Sequence, residues 1–250
     1  MRKHFIIIAS VCMALSTLVM TGCEKEDKDA ISMSQATKGA QSVQGKDGKD
    51  YMVVDLGIPG GLLWATCNIG AKTPDEAGTF FAWGETEPKA SYGYDNYKWC
   101  NGAYNNMNKY TYDYDHAADN ILDSLKTLLA EDDAATQLLG EGWRIPTKKQ
   151  FADMMFRCDY RECKLDGTWG YLFTSKENGN TIFIPLAGCR DYENLLHPDW
   201  GFYWTTELNT ANSEESYVLW IKKSANPVEK KLQARYIGLP IRAVYKKPLK

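Results

Sequence analysis

Pro146, Thr147 and Gln150 fix the start of one helix to the residue. A proline disfavours helical backbone at the residue before it, so Ile145 lies outside. Thr147-x-x-Gln150 is a capping box, which satisfies the first free N–H groups of a helix reciprocally. Phe151, Met154, Met155 and Cys158 then follow at i, i+3, i+4 and i+7, one apolar stripe. A second stripe, Ile121, Leu122, Leu125, Leu128 and Leu129, predicts another helix capped by Asp119 or Asn120. Beyond residue 165 the grammar changes to short strands. Tyr171–Ser175 and Thr181–Pro185 flank Glu177-Asn178-Gly179-Asn180, a hairpin signal because Asn-Gly tolerates positive φ. Tyr51–Leu56, Phe202–Thr206, Tyr217–Ile221 and Ile241–Tyr245 read as further strands. Helices segregated from antiparallel strands predict an α+β domain, two main helices beside small antiparallel sheets.

The N-terminus sets the compartment. Arg2, Lys3 and His4 precede an apolar run from Phe5 to Met20, and small residues Thr21 and Gly22 precede Cys23. Basic, apolar, small is the order of a secretory signal peptide. The run falls short of the roughly 20 residues that span a bilayer as a helix. Leu18-Val19-Met20-Thr21-Gly22-Cys23 resembles a bacterial lipobox, which implies cleavage after residue 22 and lipidation at Cys23. Lys25-Glu26-Asp27 resembles the signal that sends Bacteroidetes lipoproteins to the cell surface; a plain charged spacer is the alternative. Residues 23–50 are polar and charge-rich, and are expected to be a lipid-anchored flexible linker. The folded domain is expected over 51–247, on the outer membrane and facing outward.

Of 29 basic residues, Arg2 and Lys3 leave with the leader, so 27 face 32 acidic ones, a net charge of −5. Such a surface argues against nucleic acid, where basic patches supply most of the affinity. The expected partners are instead the membrane, through the lipid anchor, and a glycan or protein ligand. Five cysteines follow Cys23. An exported chain permits disulfides, and an odd number leaves a free thiol. Cys67–Cys100 and Cys158–Cys163, with Cys189 free, stand beside the reading that all five are buried reduced thiols.

Several phrases occur together: Val54-Asp55-Leu56-Gly57, Trp64-Ala65-Thr66-Cys67-Asn68-Ile69-Gly70, Phe81-Ala82-Trp83-Gly84-Glu85-Thr86-Glu87-Pro88, Gly142-Trp143-Arg144-Ile145-Pro146-Thr147, Tyr203-Trp204-Thr205-Thr206 and Ile241-Arg242-Ala243-Val244. In this order they resemble the Fibrobacter succinogenes major paralogous (FISUMP) domain carried by Bacteroidetes lipoproteins. The resemblance implies a C-type-lectin-like fold with long loops. It also implies a binding protein of the cell surface or, alternatively, an accessory subunit of a surface fibre.

Catalytic grammar is sparse. His116 and His197 are 81 residues apart, and no HExxH, Gly-x-Ser-x-Gly or phosphate loop is present. The chain therefore reads as a binding module and not an enzyme, with no cofactor expected. Asp113, Asp115, Asp119, Asn120 and Asp123, with Glu131, Asp132 and Asp133, could supply oxygens to calcium, or cap helices and face solvent. The positive signal is aromatic. Tyr97, Trp99, Tyr104, Tyr110 and Tyr112 fall in one Asn/Gly/Asp-rich stretch and are the expected ligand-binding residues. Trp64, Trp83, Trp143, Trp204 and Trp220 are expected in the core.

Overall fold

The computed structural model describes residues 27–246; the leader and Cys23 lie outside the described residues. The chain opens with strand β1 (Ala30–Ile31), helix α1 (Met33–Ala36), β2 (Ala40–Gln44), β3 (Asp50–Asp55), β4 (Leu63–Ala65) and β5 (Phe80–Phe81). A long loop leads to α2 (Ala134–Leu139), β6 (Trp143–Arg144) and α3 (Lys148–Arg157). There follow β7 (Cys158–Leu165), β8 (Thr168–Ser175), β9 (Thr181–Pro185), β10 (Cys189–Asp191) and β11 (Asn194–Leu196). The chain continues through β12 (Trp200–Leu208), β13 (Glu215–Lys222), β14 (Val228–Ala234), β15 (Leu239–Pro240) and β16 (Val244–Tyr245).

These strands form a five-stranded sheet β2-β3-β4-β16-β6 and a four-stranded sheet β1-β7-β8-β9. A three-stranded sheet β12-β13-β14 and the pairs β15-β5 and β10-β11 complete the set. Every pairing is antiparallel except β1 on β7. The expected α+β, C-type-lectin-like architecture is overturned: 36% of the described residues are strand and 12% helix. The one helix of length is α3. Its box forms as the sequence predicts, with Gln150 N–H donating to Thr147 Oγ1 at 3.1 Å and Thr147 N–H to Gln150 Oε1 at 2.8 Å. Phe151 and Met154 are buried beneath it.

The other expected helix does not form. Asp123 accepts from the N–H groups of Tyr110, Thr111 and Leu125. A short acidic side chain that bonds nearby backbone offers the chain an alternative to helix. Asp119, Asn120 and Ser124 take φ of 53°, 55° and 57°, outside the helical region. Leu128 N–H donates to Thr206 O, so this extended segment leans on β12 and tucks Leu125 and Leu128 against the core.

The stretch expected as a linker is folded from Asp27 onward. Ser32 and Gln35 form their own capping box on α1. Ile31 and Ala36 are buried with Cys163, Leu165, Leu172 and Phe183. Lys164 donates to Asp27 at 2.7 Å. The body therefore begins at least 24 residues before Tyr51.

Alternation along β12 decides where the cores sit, since neighbouring side chains on a strand point to opposite faces. Phe202 and Trp204 join one core with Trp83, Trp143 and Val218. Tyr203 joins the other with Trp64, Phe151, Met154 and Leu219. The three-stranded sheet is thus a partition with apolar packing on both sides. Trp64, Trp83, Trp143 and Trp204 are fully buried, as their strand contexts predict; Trp220 is only half-buried. The strand expected over 241–245 is split, because the fully buried Arg242 turns inward between β15 and β16. Its guanidinium donates to Ala65 O, Thr66 O and Asn68 Oδ1.

The paired-disulfide reading fails, and all five cysteines are unpaired. Cys158 and Cys163 are five residues apart on β7, so they face opposite sides. Cys158 packs with Phe151 and Cys163 with Ile31. Cys100 is buried with Tyr97 and Met107, whereas Cys67 is half-exposed in a separate part of the fold.

Candidate functional site

The five aromatic residues expected to bind ligand do not make one face. Tyr97 and Tyr110 are buried at 2% and 0% exposure, so neither reaches a ligand. Their rings surround Arg235, which is fully buried. Arg235 donates Nε–H to Tyr97 Oη at 3.0 Å, and Nη hydrogens to the carbonyls of Tyr110, Ser213 and Lys109. The Tyr97 hydroxyl donates onward to Trp83 O. Burial pushes the Tyr97 and Tyr110 phenols well above the usual tyrosine range. Trp99 is half-buried, donates to Gly84 O, and lies under the ammonium groups of Lys98 and Lys109 at 4.1 and 4.6 Å. Tyr112 is half-buried beside Lys126, and Tyr104 is exposed, edge-on to His116. These rings pin long loops around a buried cation.

Asp113, Asp132 and Asp133 are also engaged. Asp113 accepts from Ser213 N–H and contacts His116 Nδ1 at 2.6 Å. Asp132 accepts from Lys109 and the Tyr110 hydroxyl. Asp133 caps α2 through Thr136 N–H and accepts from Ile145 N–H. Among the described residues no group of three His, Cys, Asp or Glu side chains is arranged to hold a metal ion.

A different place gathers aromatic faces around a carboxylate with one buried, unpartnered oxygen. Hairpin β10–β11 turns through Tyr192 and Glu193, with Tyr192 at φ 49°. Arg190 closes the turn by donating to Glu193 O. The hairpin lies tight against β12 because Gly188, at φ 68°, bridges Gly201. A Cβ on Gly188 would meet Leu196 O at 2.6 Å. Between hairpin and sheet is a cavity of about 350 Å³ lined by Asp191, His197, Trp200, Phe202, Gln233 and Tyr236, with Cys189, Leu196, Ala234 and Ile237.

Strand register builds the aromatic wall. Trp200 stands opposite Lys222, and Phe202 opposite Trp220. Alternation puts all four on one face. Trp200 meets Phe202 at 5.8 Å and Trp220 edge-on at 5.4 Å. His197 stacks on Trp200. Lys222 sits 4.7 Å from the Trp200 ring and Lys231 5.1 Å from the Trp220 ring.

The floor is different. Asp191 Oδ1 is buried with no hydrogen-bond partner. Leaving a buried acceptor unmade costs about 1–3 kcal/mol. Burial, and next the Asp191 carboxylate, push the Tyr236 phenol up to about 12. Tyr94 packs on Tyr236 at 4.2 Å and donates to Glu214, whose carboxyl is raised by burial and by Glu215. An unmatched acceptor under flat apolar rings suits a ligand with apolar faces and hydrogen-bond donors.

Sequence reading missed this site. It took Phe202 and Trp220 as strand or core residues and passed over Asp191 and Trp200. The available signal was Trp200-x-Phe202 on one strand and Trp220-x-Lys222 on the next, at matching spacing. A second cavity of about 380 Å³ beside β3 and β4 is lined by Tyr51, Met52, Cys67, Asn68 and Leu139 among others. Its buried polar groups are already matched: Asn68 donates to Ala77 O and accepts from Arg242, and Thr66 donates to Met52 O.

No family model matches the chain, no curated protein matches it, and no solved structure matches its fold.

Proposed function

We propose that this chain is an exported lipoprotein, anchored at Cys23, whose folded body is a non-catalytic binding module for a glycan or protein ligand. The observation that carries the reading is the Trp200–Phe202 wall standing over the unpartnered oxygen of Asp191. Aromatic rings set in a concave pocket with a few convergent polar groups are the usual make-up of a recognition site. Export is supported by the order of basic, apolar and small residues ending at Cys23. With the body folded from Asp27, the stretch between Cys23 and the fold is short and charged, so the module would stand close to the membrane surface.

The test is a glycan and protein array probed with the full chain and with Trp200→Ala. Loss of the captured ligands in the variant is the expected result. Binding that is indifferent to Trp200 overturns the placement. Intact-mass analysis of envelope material tests the anchor, and an unmodified residue 23 removes it.

A further inference from the structure

We infer that the pocket between hairpin β10–β11 and the three-stranded sheet takes one neutral pyranose ring of a glycan, stacked on Trp200 with hydroxyl groups donated to Asp191. This rests on the reading above that the pocket is a binding site, and narrows its ligand to one chemical class.

Four observations converge. First, the indole of Trp200 takes a flat ring: the imidazole of His197 lies nearly parallel on it, and a pyranose would take that place by displacing the imidazole. The C–H face of a pyranose is a flat apolar surface of similar extent, and aromatic faces with polar neighbours suit it. Second, Asp191 Oδ1 is a buried acceptor without a donor, so a ligand that brings N–H or O–H hydrogens to it gains a hydrogen bond. Third, charge selects between those donors. Lys222 and Lys231 already stand over the Trp200 and Trp220 rings, so an incoming ammonium that approaches these rings meets like charge. An anionic sugar meets the Asp191 carboxylate at the floor. A neutral hydroxyl avoids both penalties. Gln233 lines the same space, and its amide can both donate and accept, as hydroxyl groups require. Fourth, about 350 Å³ is near the small end of ligand pockets and fits a ring better than a folded peptide segment.

The test titrates the full chain with a panel of neutral methyl pyranosides. Glucuronate and a lysine-containing peptide serve as charged comparisons. Tryptophan emission and saturation transfer to the sugar C–H protons report contact. At least one neutral pyranoside is expected to bind with its ring protons saturated. Trp200→Ala is expected to abolish that transfer, and Asp191→Asn, which keeps size and removes the strong acceptor, to weaken binding about tenfold or more. Unchanged thermal midpoints in Trp200→Phe and Asp191→Asn separate loss of binding from loss of fold. Tighter binding of glucuronate, or of the peptide, at Trp200 overturns the neutral-sugar assignment while the pocket stands as a binding site. No response to any ligand, neutral or charged, on an array or in solution, removes the binding site itself.

Discussion

His197 lies flat on Trp200, with ring centroids 4.4 Å apart and planes 14° apart. His197 is exposed and holds φ at 50°, a backbone region that non-glycine residues enter at a cost. Among the described hydrogen bonds its ring makes none, so its aromatic contacts, the stack on Trp200 and a tilted one to Phe202 at 6.5 Å, hold it. A ligand ring that stacks on this indole face must displace the imidazole. His197→Ala is therefore expected to tighten ligand binding about two- to tenfold, the equivalent of one aromatic pair at roughly 0.5–1.5 kcal/mol. It should also shift tryptophan emission to longer wavelength as the indole meets water. Weaker binding in His197→Ala would make the imidazole part of the binding wall instead of its cover.

Arg235 is the clearest case of a buried cation that organises loops. It has no carboxylate partner among the described ion pairs, yet its hydrogens reach Tyr97 Oη and three carbonyls. Three aromatic rings lie within 5.8 Å of the guanidinium carbon. Removing such a group leaves several acceptors unmatched at once. Arg235→Met is expected to destabilise the fold by about 3–5 kcal/mol, read from the urea midpoint at constant slope. Arg235→Lys should recover only part of that, because an ammonium cannot reproduce the planar fork. A loss below about 1 kcal/mol would show that the loops close without it.

The thiols make a chemical prediction. Burial pushes Cys158 up to about 12 and Cys189 up to about 11, and raises Cys100 and Cys163 as well. Cys67 is the one half-exposed thiol of the five. Among these five, alkylation of the folded protein near pH 8 is expected to label Cys67 alone, with no change in mass on adding reductant. The pH dependence has a definite sign. Cys158 and Cys189 keep their protons in the fold to higher pH than in the unfolded chain, where thiols titrate near about 8.5. Their contribution is complete below that point and is lost as pH rises toward 11–12, so stability should fall through this window. A two-dalton shift on reduction, or rapid labelling of Cys158, would contradict the buried, unpaired arrangement.

What the sequence disclosed depended on range. The Thr147–Gln150 box is local chemistry, so the start of α3 was legible to the residue, though Cys158 of its expected stripe opens β7; the Gly179 hairpin was legible too. Burial of Trp64, Trp83, Trp143 and Trp204 was legible because strand alternation carries it. The leucines of 121–129 misled, since their helical spacing competes with Asp123 and with a long-range bond to Thr206 that no local pattern encodes. Tyr97 and Tyr110 looked like a ligand surface because their environment is supplied by Arg235, 125 residues or more away. The candidate site stayed hidden for the same reason. Trp200 and Trp220 meet only once β12 and β13 are in register, and Asp191 arrives through a separate hairpin.

Ile31 tests where the folded body begins. It pairs with Leu165 in the parallel pairing of β1 with β7, and it is 7% exposed. Its side chain meets Cys163, Leu172 and Phe183, all on the four-stranded sheet. The scattered apolar residues Ala30, Ile31, Met33 and Ala36 in a polar stretch gave little reason to expect this, although Ser32-x-x-Gln35 is the same capping grammar that marked α3. If residues 27–36 are integral, Ile31→Ala removes buried methyl groups and leaves a gap under β7. The expected cost is about 2 kcal/mol or more, seen as a lower urea midpoint, with faster amide exchange in β7 than in β13. A variant as stable as the parent would mean that the first strand rests on the sheet without supporting it, and the body would then begin with β2.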